Sequence, residues 1–326
     1  MKLRVLGERD LISAIAGTFP GKGRGVIIGI GDDAAVLKPG QKPLLLTKDL
    51  LVESVDFLKN LHPPFYLGRK SLSVNLSDVA AMGGKARFAL LGLGFPPETE
   101  ARWVREFLRG FKTAARETGV SLVGGDISRA GEIVISVTIL GETEAPVSRG
   151  GGKPGDLLFV SGYLGDAQAG FRLLKKGYRL GRNRRAVLLL KAFLDPAAQL
   201  ELGGKLAHQR LVSAMIDTSD GLSVDLLHLC EASGTGAEIE VEKLPLSPAI
   251  RSYISKPLPL ALHGGEDFQL LFAVPPRNRT ALLRLGQTYL ITEIGHLTAD
   301  QGICLVDRRG KRTRLEPRGY EHFKYR

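Results

Sequence analysis

NLSDVAAMGG, residues 75–84, sets an asparagine, a serine and an aspartate on a run of small and apolar residues that ends in two glycines. From Gly68 to Met82 the apolar and small residues recur at helical spacing. Leu72, Leu76, Val79 and Ala80 fall on one face, so the motif reads as the end of a helix with Asp78 near its last turn. Working outward, five other stretches set carboxylates beside glycines or small residues: GIGDDAAVL (29–37), TKD (47–49), GGD (124–126), DTSDG (217–221) and GGED (264–267). Each has an ordinary reading. GIGDD, GGD and GGED suit turns, NLSD suits a solvated helix face, and Ser219 or Asp220 suits a helix N-cap.

Their joint occurrence over more than two hundred residues points instead to carboxylates converging on one site. Two carboxylates about 4 Å apart repel by about 4 kcal/mol at an effective dielectric near 20. Divalent cations relieve that repulsion, and oxygen-only ligands suit Mg²⁺. Neighbouring glycines let backbone N–H groups approach phosphate. The pattern is that of a Mg-nucleotide enzyme.

The bulk properties agree. The chain has 326 residues, 44% hydrophobic and 24% charged, which suits a globular protein of two domains. The net charge of +11 suits a polyanionic small substrate. The basic runs Arg172–Arg185 and Arg308–Arg318 are not interleaved with aromatics in the manner of a base-stacking surface, so no nucleic-acid partner is expected. Cys230 and Cys304 are the two cysteines, with no metal-binding spacing, and a reducing cytoplasm fits. The start MKLRVLGERD lacks the apolar core of a signal peptide. No apolar run approaches the ~18 residues of a membrane span.

Helices and strands alternate in both halves, which defines an α/β chain. A helix is expected over Glu8–Ala16 and a mobile Gly-rich stretch over Gly17–Gly31, able to order over nucleotide. Strands are expected at Pro43–Thr47, Ala86–Leu93, Val120–Val123 and Ile133–Gly141, the last two flanking a GGD loop. Glu98–Thr118 reads as an amphipathic helix burying Trp103, Phe107, Leu108 and Phe111. The Gly- and Pro-rich stretch EAPVSRGGGKPGD (144–156) marks a domain boundary, giving domains of 1–147 and 148–326. Beyond it, strands are expected at Leu157–Val160, Ala237–Val241, Phe268–Val274 and Gly302–Val306, and helices at Gly165–Lys176 and Gly221–Ala232.

The motifs also occur in a recognisable order. LGERDLI, GIGDDAAVL, NLSDVAAMGG, LVGGD, ISVTILGE, RGGGKPGD, SGYLGDAQAG, IDTSDGL, LPLS, GGEDF and GYEHF run nearly end to end. In this order they resemble the thiamine-monophosphate kinase family. That family lies within the superfamily of aminoimidazole ribonucleotide synthetase, selenophosphate synthetase and the hydrogenase-maturation dehydratase. The resemblance implies an aminoimidazole-ribonucleotide-synthetase-like fold in two domains. The N-terminal domain would form a shared barrel-like sheet in a homodimer, with ATP and metals in the cleft between the domains. It implies transfer of the γ-phosphoryl group of ATP to thiamine monophosphate, with several Mg²⁺ ions. Metal positions fall on Asp33, Thr47, Asp49, Asp78, Asp126 and Asp217, with Asp220 beside them. Nucleotide positions fall on Gly125, Asp126, Arg149 and Ser219, and substrate positions on Asp56, Glu266 and Tyr320.

An anionic phosphate acceptor needs no general base, so positioning and charge neutralisation carry the chemistry and no acid–base residue is assigned. Three positions depart from the family pattern. Lys48 stands where the family has Thr, Asp56 where it has His, and Gln269 where it has Glu. In an extended 47–49, Lys48 points away from its neighbours. Asp56 and Lys48 motivate one alternative: a paralogue with the same ATP chemistry and another small acceptor. The charge of +11 motivates another, a non-catalytic nucleotide- or nucleic-acid-binding protein. It gains no support from the five main carboxylates.

Overall fold

Residues 26–28, 32, 35–37, 43–181 and 184–320 are described in the computed structural model. The expected helix Glu8–Ala16, Asp33, most of the Gly17–Gly31 stretch and the end of GYEHF beyond Tyr320 lie outside the described residues. The part at Val26–Ile28 forms strand β1.

The first half holds β1, β2 (Ala35–Leu37), β3 (Leu44–Val52), α1 (Pro64–Ala81), β4 (Lys85–Phe95), α2 (Ala101–Thr118), β5 (Ser121–Arg129) and β6 (Val134–Glu142). Its sheet runs β1-β2-β3-β6-β4-β5. Among the described strands of this sheet only the β4–β5 pair is parallel. One face of the sheet, through Leu45, Val137, Ile139 and Leu91, packs under α1 and α2 into a core. The two helices approach closely because Gly68 and Gly110 face backbone. A Cβ at Gly110 would lie 1.8 Å from the Phe65 carbonyl oxygen. Leu108 does not join the expected stripe on α2 and is 40% exposed.

The GGD tripeptide is not a hairpin loop. Gly124, Gly125 and Asp126 lie inside β5, which runs on to Arg129. A register shift at Ala89/Leu90 puts an extra residue into the pairing there. The glycines allow the near approach, since a Cβ at Gly125 would lie 1.9 Å from the Leu91 carbonyl oxygen.

The second half holds β7 (Leu157–Ser161), α3 (Asp166–Lys175), α4 (Arg184–Leu194), α5 (Leu200–His208), β8 (Ala214–Asp217), α6 (Leu222–Ser233), β9 (Gly236–Glu240), α7 (Pro248–Tyr253), α8 (Leu258–His263), β10 (Leu270–Val274), α9 (Arg279–Leu285), β11 (Ile291–Thr298), β12 (Gly302–Val306) and β13 (Arg312–Arg314). The sheet order is β13-β12-β9-β11-β7-β10-β8, with β12–β9 the parallel pair. GGED joins helix α8 to strand β10, and does not turn between two strands.

Helix α1 belongs to both halves. Its Ala80 and Ala81 sit in a core with Phe159, Leu202, Met215 and Leu270 of the second half. This explains why Lys70, Ser71, Asn75 and Ser77 are buried alongside its apolar stripe. A helix covered on all sides must find partners for its polar residues, and those partners build the site.

Candidate active site

Strand β8 is fully buried and ends at Asp217, beside β10. The pairing continues past the strands into the motif loops. Thr218 N–H donates to the Gln269 carbonyl (2.7 Å), Phe268 N–H to Thr218 (2.9 Å) and Glu266 N–H to Ser219 (2.7 Å). DTSDG and GGED are thus joined backbone to backbone, close enough that a Cβ at Gly265 would lie 2.6 Å from the Ser219 carbonyl oxygen. Glu266 and Phe268 have φ of +70° and +47°, a region that non-glycine residues rarely enter. Neither Ser219 nor Asp220 caps α6. The cap is Gly221 (φ +118°), whose N–H donates to Asp225 at 2.9 Å. The capping task therefore falls to neither of the two motif side chains.

On the other side stands β3. Thr47 is buried and donates to Asp78 on α1 at 2.5 Å. The Asp49 N–H donates to Asn75 at 3.0 Å, and Asn75 donates to the Ser71 carbonyl within the helix. Helix α1 therefore holds both inward residues of TKD. Lys48 is exposed on the opposite face, as the alternation of an extended strand requires. Asp56 turns back on its own loop and accepts from the Val52 N–H at 2.8 Å.

The electrostatics show which carboxylates meet. Burial pushes Asp217 up to about 6, with Asp49 and Asp220 adding repulsion, while the nearby Ser77 hydroxyl and Arg149 guanidinium pull it down. Burial likewise pushes Asp49 up to about 6, with Asp56 as the repelling neighbour. Asp225 is held well above its usual range by burial and by Asp220 and Asp217. Arg149 is placed by Asp32, 3.6 Å from its Nε, and by Ser233, which donates to its carbonyl. Ligand atoms of Asp220, Asp225 and His228 lie within 4.8 Å of one another.

The fold thus brings Thr47, Asp49, Asp78, Asp217, Asp220 and Arg149 together, with Ser219, Glu266 and Tyr320 on the adjoining loops. The Tyr320 N–H reaches the Asp220 carbonyl at 3.4 Å. Gly125 and Asp126 stand apart. Asp49 is in register with Val137, Val137 with Leu91, and Leu91 with Gly125. Three strand spacings, about 14 Å along the sheet, separate β3 from β5, and both β5 residues are exposed.

Sequence reasoning left Asn75, Ser77, Asp32, Asp225 and His228 unassigned. Asn75 and Ser77 were inside the NLSD motif, but only the burial of α1 shows that they face the site. The departure at Gln269 is explained locally. Its amide accepts from Ser161 and donates to the Asp267 carbonyl. Asp267 itself is pushed up to about 7 by burial, against the pull of the Gly165 and Ala167 amides it accepts from. A neutral amide suits that place better than another carboxylate.

Comparison with known proteins places this architecture in a class. Residues 31–143 match the AIR synthase related protein N-terminal domain, and residues 153–308 match the corresponding C-terminal domain. Over 99% of its length the chain is 40% identical to the whole of a thiamine-monophosphate kinase of Aquifex aeolicus (strain VF5). It is 36% identical to the thiamine-monophosphate kinase of Escherichia coli (strain K12), covering 97% of this chain and 98% of that one. A solved structure, AaThiL complexed with AMPPCP and TMP, superposes with a TM-score of 0.89 at 38% identity, covering 99% of each chain. The chain belongs to the thiamine-monophosphate kinase family, within the AIR synthase related proteins.

Proposed function

We propose that the chain transfers the γ-phosphoryl group of ATP to the phosphate of thiamine monophosphate, giving thiamine diphosphate and ADP. The observation that carries this reading is the convergence of Thr47, Asp49 and Asp78 with Asp217 and Asp220, in a family one of whose solved structures holds AMPPCP and TMP together. The acceptor oxygen is already anionic. It forms the new bond to the γ-phosphorus while the bond to the β-bridging oxygen breaks, and ADP leaves with that electron pair. No proton must be removed. His263 is accordingly tied to Ser223 at 2.9 Å, and burial lowers its pKa.

The carboxylates fit divalent cations. Asp217 is 2% exposed, its Oδ2 meets no hydrogen-bond partner among the described residues, and its neighbours include two more carboxylates. Such an atom is costly to bury unless something pairs with it. Bound there, Mg²⁺ supplies charge neutralisation for the phosphates. Asp33, Thr47, Asp49, Asp78, Asp126, Asp217 and Asp220 are the assigned ligand positions in this reading. Arg149, Gly125, Asp126 and Ser219 hold the nucleotide, and Glu266 and Tyr320 the acceptor. Asp56, the remaining position assigned to the acceptor, accepts from the Val52 N–H of its own turn and is not aimed at the acceptor's phosphate.

The same reading carries a division at 147/148, a cytoplasmic setting and a homodimer with a shared barrel-like sheet. Two observations support the dimer. The sheet face opposite α1 and α2 exposes Leu50, Phe88 and Leu90, all at 44% or more, and the edge strand β5 exposes Leu122, Val123 and Ile127. Asp126 also lies too far from Asp49 to share a cation with it inside one chain, whereas a partner's β5 can supply it. The decisive experiment is a coupled ADP-release assay with ATP and Mg²⁺, offering thiamine monophosphate, thiamine and aminoimidazole precursors in turn. Release with thiamine monophosphate alone is expected. Release only with another acceptor would refute the substrate assignment.

A further inference from the structure

Lys70 lies on α1, seven residues before Ser77 and therefore on the same helix face. It is 1% exposed. Its ammonium stands 2.6 Å from Glu266 Oε1 and 4.0 Å from the centroid of the Phe193 ring. His62 packs against Phe193, and burial together with the Lys70 charge pushes its imidazole well below the usual histidine range. Glu266 is the only salt-bridge partner of Lys70 among the described residues.

Such a pair is a poor device for stability alone, because burying an ammonium costs about as much as the pairing returns. Its partner is also unusual. Glu266 sits at φ +70°, with its backbone tied to Ser219 and its side chain one-third exposed. One carboxylate oxygen forms an ion pair with Lys70, outside hydrogen-bond geometry, while a third of the side chain stays exposed. A buried cation 2.6 Å away and a left-handed backbone together restrict the orientations open to this carboxylate.

We propose that Lys70 is a positioning residue of the acceptor pocket, fixing Glu266 so that its second oxygen addresses the cationic, amino-bearing end of the acceptor. The inference rests on the placement of Glu266 in that pocket. It also makes α1 the member that aligns acceptor and metal ligands, since the same helix carries Asn75 and Asp78.

The test is steady-state kinetics of K70M, K70R, E266Q and K70M/E266Q, varying thiamine monophosphate and ATP separately. K70M and E266Q should each raise the KM for thiamine monophosphate about tenfold or more, as loss of a hydrogen bond to a charged group predicts. The KM for ATP should stay within about twofold, because the pair's side chains are assigned to the acceptor and not to the nucleotide. K70R should recover much of the loss. The double variant, which leaves no buried charge and so guards against misfolding, should be no worse than E266Q. Multiplying effects in the double variant, or equal rises in both KM values for K70M, would overturn the proposal. A raised KM in E266Q with K70M unmoved would overturn the role of Lys70 alone. An unmoved KM in E266Q would remove Glu266 from the pocket and the proposal with it.

Discussion

Asp217→Asn should stabilise the metal-free protein while abolishing its activity. The wild-type carboxyl is pushed from 3.8 up to about 6, chiefly by burial. A folded-state pKa above the unfolded one means that the folded chain binds the extra proton between about pH 4 and pH 6. Stability therefore falls as pH rises through that window, and the full penalty is present above it. A pKa raised that far bounds the penalty at about 3 kcal/mol. Asp49 and Asp220 share the repulsion, so removing one charge should recover about 1–2 kcal/mol of it. For a chain of this size that is a rise in Tm of about 1.5–3 °C.

The assay is thermal unfolding in EDTA near pH 8 and near pH 5. The gain should appear at the higher pH and shrink at the lower, where wild-type Asp217 is mostly protonated. Adding Mg²⁺ and ATP should raise the wild-type Tm strongly and the variant's little. Turnover should fall by about a hundredfold or more, the scale of losing a metal ligand in phosphoryl transfer. A variant less stable than wild type near pH 8 without metal would refute the account of Asp217 as a buried, uncompensated charge. Near-wild-type turnover would refute its role as a ligand.

Asp56→His should leave turnover of thiamine monophosphate intact or improved and shift the acidic limb of the kcat/KM profile to lower pH. The reason is that Asp49 loses the neighbour that, after burial, raises its pKa; an unmoved limb would contradict this. Gln269→Glu should cost about 1–3 kcal/mol in urea unfolding, because it removes the donor to the Asp267 carbonyl and adds charge beside Asp267. No loss would show that the amide is dispensable. Asp49→Asn and Asp126→Asn, each inactive alone, should recover about a quarter of wild-type activity when co-expressed. Equal mixing gives half heterodimers, each with one intact site, if Asp126 acts across the dimer. No recovery would place Asp126 in its own chain's site.

Much of this was legible in the sequence where local pattern and chemistry agree. The stripe Leu72, Leu76, Val79 and Ala80 predicted α1, and the alternation of TKD predicted that Lys48 faces away. What failed was what only tertiary context decides. GGD has the composition of a turn, yet its glycines serve close strand pairing in β5. DTSDG has the composition of an N-cap, yet the cap is Gly221 and Asp225 reaches back to it. Lys70 carries no signal at all, since a lysine in a helix is ordinarily a solvated one. Its meaning comes from α1 being wrapped by both halves of the chain.

That wrapping also explains how a site of mutually repelling carboxylates stays assembled. None of Asp49, Asp217 and Asp220 is held by attraction to the others. Asp49 is held by the β3–β6 ladder and by Asn75, and Asp217 by the β8–β10 ladder. The Asp220 loop is held by the strapping of DTSDG to GGED. Backbone pairing fixes the positions, and the charges bear the cost. A ligand that removes the repulsion therefore gains that stored free energy as affinity, because the carboxylates need not be gathered again on binding. Helix α1 makes the gain a joint one. It touches β3 through Asn75 and Asp78, Asp217 through Ser77, and Glu266 through Lys70. Relief of charge at the metal ligands and seating of the acceptor thus act on one rigid element, and each favours the arrangement that the other requires.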